Sequence, residues 1–291
     1  MHLVEPVFRP PSEAHSLLLP TTVGCSNNRC TFCAMYMTKK YRVLAEHEIF
    51  ADIDEAAGWG PRFQRVFLLD GDALAAPQEL LEAVLERVRE RLPWVERVST
   101  YGDARSILAK GADGLARLRE RGLALVYHGI ESGNPDVLAR IRKPVSFDEM
   151  AEVGRVMKAS GVGYSVMALL GLGGTEMSEA HARDTARALT LLDPDYIGLL
   201  TLMLVPGTPL ARQEERGELT LPDRFGMLTE LRTILAGADV TKARFSANHA
   251  SNYLPLKGDL PADRERLLAL VDDILAARDD RRLKPEWLRG L

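Results

Sequence analysis

Leu18-Leu19-Pro20-Thr21-Thr22-Val23-Gly24-Cys25-Ser26-Asn27-Asn28-Arg29-Cys30-Thr31-Phe32-Cys33 runs an apolar, β-branched stretch straight into three cysteines. The first six residues predict a buried strand over 18–23. The remainder sets soft thiolate ligands just past that strand's carboxyl end, spaced C-x4-C-x2-C. What a strand end can present depends on the sheet around it, so the pattern downstream fixes the meaning of this stretch.

That pattern repeats a short apolar run, a turn and a longer amphipathic segment. Further strands are predicted over 65–69, 95–100, 124–128, 164–170 and 196–204. Helices are predicted near 43–57, 77–91, 113–121, 146–160 and 176–192, then 222–236 and 261–278. Several boundaries have a mechanism. Ser146 and Glu149 fit a capping box, in which each side chain satisfies a free N–H of the first turn. Asn134-Pro135 fits an N-cap followed by proline at the first helical position. Gly122 and Gly161 stand where a left-handed helix cap favours glycine. Strands alternating with helices give a parallel sheet with helical crossovers. Six such repeats before residue 205 predict a barrel or partial barrel, with a doubly wound open sheet as the alternative. In either, ligands gather at the carboxyl ends of the strands.

The chain has 291 residues, 46% hydrophobic and 27% charged, with a formal net charge of −4. This is enough apolar content for a large core, and it lacks the basic excess of a dedicated nucleic-acid binder. The opening Met1-His2-Leu3-Val4-Glu5-Pro6 has neither a basic nor an apolar leader region. The longest apolar run, Tyr196 to Val205, is far short of the roughly 20 residues of a membrane span. The expectation is a cytoplasmic protein without membrane partners.

All 3 cysteines lie in the opening stretch. An odd, clustered set makes a poor disulfide framework and suits a reducing compartment and a metal. Three inert buried thiols are one reading, but Ser26, Asn27, Asn28 and Arg29 make the surroundings polar. Structural zinc takes four protein ligands, which would require a histidine such as His47. An iron–sulfur cubane on three cysteines leaves one iron open to a small chelating molecule.

With Phe32 before the last cysteine, this motif resembles that of the radical SAM (S-adenosylmethionine) superfamily, whose familiar spacing is one residue shorter in the first gap. The resemblance extends over roughly residues 17–210, in order. It implies an α/β fold: a partial (βα)6 TIM-like barrel over 1–210, with a C-terminal α/β extension over 211–291. It implies one [4Fe–4S] cluster on Cys25, Cys30 and Cys33. Asp70-Gly71-Asp72 looks like the Gly-Gly-Glu motif that meets the SAM amino group, with Asp72 in place of the glutamate. Tyr101 stands where coproporphyrinogen-oxidase-like members have a ribose-binding acid, and Asp103-x-Arg105 matches the pattern after it. Gly129-Ile130-Glu131-Ser132 resembles a motif whose polar side chain faces the cofactor, which gives Glu131 the ribose hydroxyls. In Arg142-Lys143-Pro144, Lys143 or Arg142 would pair the SAM carboxylate. Gly171-Leu172-Gly173-Gly174-Thr175-Glu176 resembles a glycine stretch of the methylthiotransferase and Elongator-like branches, where backbone packs on adenine.

Beyond residue 210 the resemblance fades. Phe245 to Tyr253 is polar and follows an apolar helix. It predicts a seventh strand end, with Asn248, His249 and Asn252 as substrate-side candidates against a plain surface turn. The implied activity is reductive cleavage of SAM to a 5′-deoxyadenosyl radical that acts on a small molecule. The implied electron donor is a flavodoxin or ferredoxin. The alternatives are an RNA-modifying member of the family, a zinc-dependent barrel enzyme and a non-enzymatic iron–sulfur redox protein.

Overall fold

The structure, a computed structural model, describes residues 1–143 and 145–290. Pro144, quoted above beside Lys143, lies outside the described residues. The chain divides into two compact units. The first holds Met1–Asn28, Met35–His128 and Arg155–Tyr164. The second holds Arg29–Ala34, Gly129–Gly154 and the chain from Ser165 onward.

Along the chain come β1 (Leu17–Pro20), β2 (Thr22–Val23), β3 (Arg42–Val43), α1 (Glu46–Gly58), β4 (Arg65–Leu69), α2 (Gln78–Arg91), β5 (Arg97–Tyr101), α3 (Ala104–Glu120) and β6 (Leu123–Glu131). In the first unit β1, β4, β5 and β6 are parallel neighbours in that order. Leu17 pairs with Val66, Arg65 with Arg97, and Thr100 with Val126. Parallel strands are covered on both faces, and in β4 Val66 through Leu69 are all buried.

The strand predicted over 18–23 is divided. Pro20 has no N–H to continue the ladder. The Thr21 N–H goes to the Leu69 carbonyl (3.2 Å), and Thr22–Val23 leave to pair antiparallel with β3. α3 starts nine residues before the predicted 113, at Ala104. Asp103 caps it by accepting the Arg105 N–H (3.2 Å), and Gly111 (φ 63°, ψ 174°) interrupts it. The periodicity of the sequence registered only the segment beyond that break.

There follow α4 (Pro135–Arg140), α5 (Phe147–Ser160), β7 (Gly163–Leu170), α6 (Gly174–Leu192), β8 (Tyr196–Thr201), α7 (Pro209–Glu215), α8 (Arg224–Gly237), β9 (Ala243–Ala247), β10 (Leu256–Leu260) and α9 (Arg264–Ala277). In the second unit β7, β8 and β9 run parallel, while β10 returns antiparallel to β9. α8 packs on both α6 and α9. β9 supplies the predicted seventh strand. The predicted caps are present. Ser146 Oγ accepts the Glu149 N–H (3.1 Å) and the Glu149 carboxylate accepts the Ser146 N–H (2.7 Å). Asn134 Oδ1 accepts the N–H groups of Asp136 and Val137, each at 3.1 Å. β10 and α7 were not predicted, although Thr208-Pro209 is a readable start for α7: the Thr208 side chain accepts the Ala211 N–H.

Candidate functional site

The first unit holds Cys25, Gly71, Asp72 and Tyr101. The loop after β4 is tied to the cysteine loop by the Gly71 N–H, which donates to the Gly24 carbonyl (3.0 Å). A Cβ on Gly71 would stand 2.5 Å from the Tyr36 ring and 2.9 Å from the Cys25 Cβ. Only glycine lets this loop lie against Cys25.

The two aspartates beside Gly71 have different duties. Asp72 is fully buried and accepts from the Ser26 hydroxyl, the Ser106 hydroxyl (2.7 Å) and the Asp103 N–H (3.0 Å). It thereby ties Ser26, next to Cys25, to the start of α3. Burial pushes its carboxyl above the usual range, against the pull of those three donors. Asp70 Oδ2 accepts from Lys39 Nζ (2.8 Å) and the Gly24 N–H (3.0 Å). Asp70 Oδ1 is buried and has no hydrogen-bond partner among the described residues. The sequence pointed to Asp72 for an ammonium group. In the structure both Asp72 oxygens are engaged by the protein, and the unengaged acceptor belongs to Asp70. The signal was there in the replacement of the motif's first glycine by a carboxylate.

Tyr101 joins an aromatic cluster, edge-on to Phe67 (5.1 Å between centroids) and Tyr127 (6.1 Å). Tyr41 lies close enough to feel Asp72 and Cys25. Burial first, then those two charges, pushes its hydroxyl up to about 12.

The second unit holds Cys30, Phe32, Cys33, Glu131, Lys143 and Gly171. Thr31 pins the cysteine segment by its main chain. Its N–H donates to the Ile141 carbonyl (3.0 Å), and its carbonyl accepts the Leu210 N–H (2.9 Å). Cys30 and Cys33 close a turn, the Cys33 N–H donating to the Cys30 carbonyl (3.3 Å). Glu131 and Lys143, assigned from sequence to different parts of one ligand, are brought together at 3.4 Å. Glu131, the last residue of β6, has φ 66°, a left-handed backbone uncommon outside glycine. Gly171, directly after β7, has φ 89°, and a Cβ there would meet the Met227 side chain of α8 at 2.4 Å.

The substrate-side candidates separate. Asn252 is buried, its amide donating to the Leu199 carbonyl (2.8 Å) and its carbonyl accepting from the Thr201 hydroxyl (2.8 Å). It braces the end of β8. His249 pairs with the Ser251 hydroxyl (2.9 Å) and is held below its ordinary pKa by burial, then by Lys284. Asn248 is exposed. Sequence reasoning missed Arg289, whose guanidinium donates to the carbonyls of Ser251 (2.6 Å) and Leu202 (3.0 Å) and lies 4.1 Å over the Tyr253 ring.

All three cysteines are partly buried thiols rather than disulfides. Among the described residues no group of three His, Cys, Asp or Glu side chains is drawn together as a single-ion site. The fit of a metal group is therefore judged on the donors. Three soft thiols with no fourth cysteine suit a cubane with one open iron. The orphaned, buried Asp70 Oδ1 suits a cationic ligand group in the loop that touches Cys25.

Residues 19–188 match the radical SAM superfamily, more than half of the chain. The chain belongs to that superfamily, a class of enzymes, and its cofactors are those of the class: a [4Fe–4S] cluster and S-adenosylmethionine. It is 29% identical over 201 residues to biotin synthase of Maridesulfovibrio salexigens, covering 66% of this chain and 56% of that protein. The chain thus spans little more than half the length of this relative. Among solved structures it is similar to coproporphyrinogen III oxidase HemN from Escherichia coli (17% identity, TM-score 0.58, 76% of this chain, 51% of that one). It is also similar to the radical S-adenosylmethionine methyltransferase TsrM from Kitasatospora setae (22% identity, TM-score 0.55, 67% of this chain, 38% of that one). These likenesses show the fold, the α/β partial TIM-like barrel of the superfamily. No helix among the described residues is long and apolar enough to cross a membrane.

Proposed function

We propose that this chain cleaves S-adenosylmethionine reductively and applies the resulting radical chemistry to a small-molecule substrate. The observation that carries the reading is the donor set: three thiols in the segment that follows β2, no other cysteine, and the Gly71 loop lying against Cys25. The cluster and SAM, when bound, supply one-electron scission of the sulfonium carbon–sulfur bond.

The chain's own residues do the holding. Cys25, Cys30 and Cys33 would hold the cluster. Asp70 Oδ1 offers the SAM ammonium an acceptor whose companion oxygen is already neutralised by Lys39. Lys143 and Glu131 exchange their mutual contact for the SAM carboxylate and ribose hydroxyls. Phe32, Tyr101 and the Gly171 turn supply apolar and main-chain surface. Asn248 and His249 are the substrate-side polar groups of this proposal. Residues 1–210 form the catalytic core in it, and 211–291 an extension. A one-electron donor such as a flavodoxin or ferredoxin completes the system.

The test is anaerobic reconstitution with iron and sulfide, reduction, and addition of SAM. The expected result is a perturbed EPR signal of the reduced cluster, with 5′-deoxyadenosine and methionine as products. A colourless protein with stoichiometric zinc refutes the reading.

A further inference from the structure

Glu230 sits on α8, beyond the residues that match the superfamily. It is 1% exposed on a helix face otherwise built from Met227, Leu228, Leu231 and Ile234. A carboxylate in such a place is costly unless its oxygens are used. Both are: Oε2 accepts the Gly171 N–H (2.6 Å), and Oε1 accepts from the Ser178 hydroxyl (2.6 Å). One turn further along α6, His181 comes within 3.8 Å of the same carboxylate. His181 bonds the Leu169 carbonyl through Nε2 (3.0 Å) and the Ser132 hydroxyl through Nδ1 (2.8 Å). Ser132 in turn accepts the Asn134 N–H (3.0 Å), which fixes the loop that follows Glu131. Two of the stretches assigned to the cofactor, Gly171 and Glu131-Ser132, thus meet one buried polar network whose origin is α8.

We propose that Glu230 is a positioning residue for S-adenosylmethionine, holding the Gly171 turn and, through α6, the Ser132 loop in the shape that receives the cofactor. The inference rests on the cofactor reading above. It gives the C-terminal extension a duty in the core: α8 shapes the end of β7. An apolar side chain would pack among Met227, Leu228 and Leu231 at less cost, but would leave the Gly171 N–H with no acceptor.

The test uses the cluster-loaded protein, with Glu230→Met to remove the acceptor at near-constant volume and Glu230→Gln to keep one. In the glutamine variant Oε1 still accepts the Gly171 N–H, and the amide donates to Ser178 Oγ. SAM affinity is read by titrating the reduced-cluster EPR signal. Hydrogen exchange at the Gly171 amide is read without SAM. Glu230→Met is expected to weaken SAM binding roughly 10- to 100-fold, the scale of a lost hydrogen bond to a charged group, and to speed Gly171 exchange. Iron content should not change. Glu230→Gln should recover affinity to within about threefold. Glu230→Leu repeats the test if the methionine variant does not pack. Wild-type SAM affinity in Glu230→Met or Glu230→Leu overturns the proposal. Wild-type protein whose EPR signal ignores SAM overturns the cofactor reading itself, and the exchange measurement separates the two failures.

Discussion

Gly71 is the residue on which the cysteine loop leans, and its lack of a side chain can be tested. Gly71→Ala forces a Cβ to within 2.5 Å of Tyr36 and 2.9 Å of Cys25. The expected cost is about 1–3 kcal/mol of stability, typical of overpacking, with a fall in iron content after reconstitution. Gly58→Ala in α1 is the control: nothing lies within 4 Å of its Cβ. It should be neutral or stabilising by up to about 1 kcal/mol, because alanine is the better helix former. Urea unfolding and iron assay of both variants decide the matter. Asp70→Asn makes a second case. The Lys39–Asp70 pair has side chains only 2% and 4% exposed, so the substitution strands a buried ammonium. Removing one partner of such a pair costs about 3–5 kcal/mol, measurable as a lowered urea midpoint. Loss of that size separates a buried pair from a surface one, which is worth about 1 kcal/mol or less.

At the scale of elements, α5 tests the capping box. Ser146→Ala removes the acceptor of the Glu149 N–H and is expected to cost about 1 kcal/mol in urea unfolding. The cap was legible because it depends on residues three apart. So were β4, found over the predicted 65–69, and the alternation of the longer parallel strands with helices through β8, because burial on both faces demands continuous apolar runs, whereas the two-residue β3 was not. What escaped was set by contacts distant in sequence. The division of β1 from β2 depends on which strand each can reach once Pro20 ends the ladder. The first half of α3 is hidden behind Gly111. The candidate site was legible as motifs at strand ends but not as assignments of individual oxygens. Nothing in Asp70-Gly71-Asp72 says that Ser26 and Ser106 will claim Asp72. Glu230 and Arg289 were invisible for the same reason: their partners lie 59 and 38 residues away.

For the molecule as a whole, two buried groups predict how stability follows pH. Burial lowers the His181 pKa from 6.5 to about 4, against the Leu169 carbonyl and Asp184. Burial raises Glu230 from 4.5 to about 7, against the bonds from Ser178 and Gly171. His181 faces Glu230 from α6, while Arg224 and Arg232 of α8 pair with Asp280 and Asp272. The stability that His181 contributes is present above 6.5 and lost as pH falls through about 4. The stability that Glu230 contributes is present below 4.5 and lost as pH rises through about 7. Between 4.5 and 6.5 the two slopes oppose and cancel, since folding excludes one proton at His181 and takes one up at Glu230. Glu230→Met removes one limb. Its unfolding free energy should therefore rise relative to wild type as pH is raised from 5 to 7.5, by roughly 1.4 kcal/mol per unit where Glu230 titrates alone. Parallel pH profiles for the two proteins in guanidinium titrations would refute this assignment.

The main-chain anchors on Thr31 carry one more consequence. A turn held by the surrounding main chain presents its two thiols together. Cys30 and Cys33 surrender little conformational freedom on loading, because Ile141 and Leu210 have fixed the segment between them. The two thiols then act as one unit, and Thr31→Pro, which removes the N–H held by the Ile141 carbonyl, is expected to lower the iron retained after reconstitution.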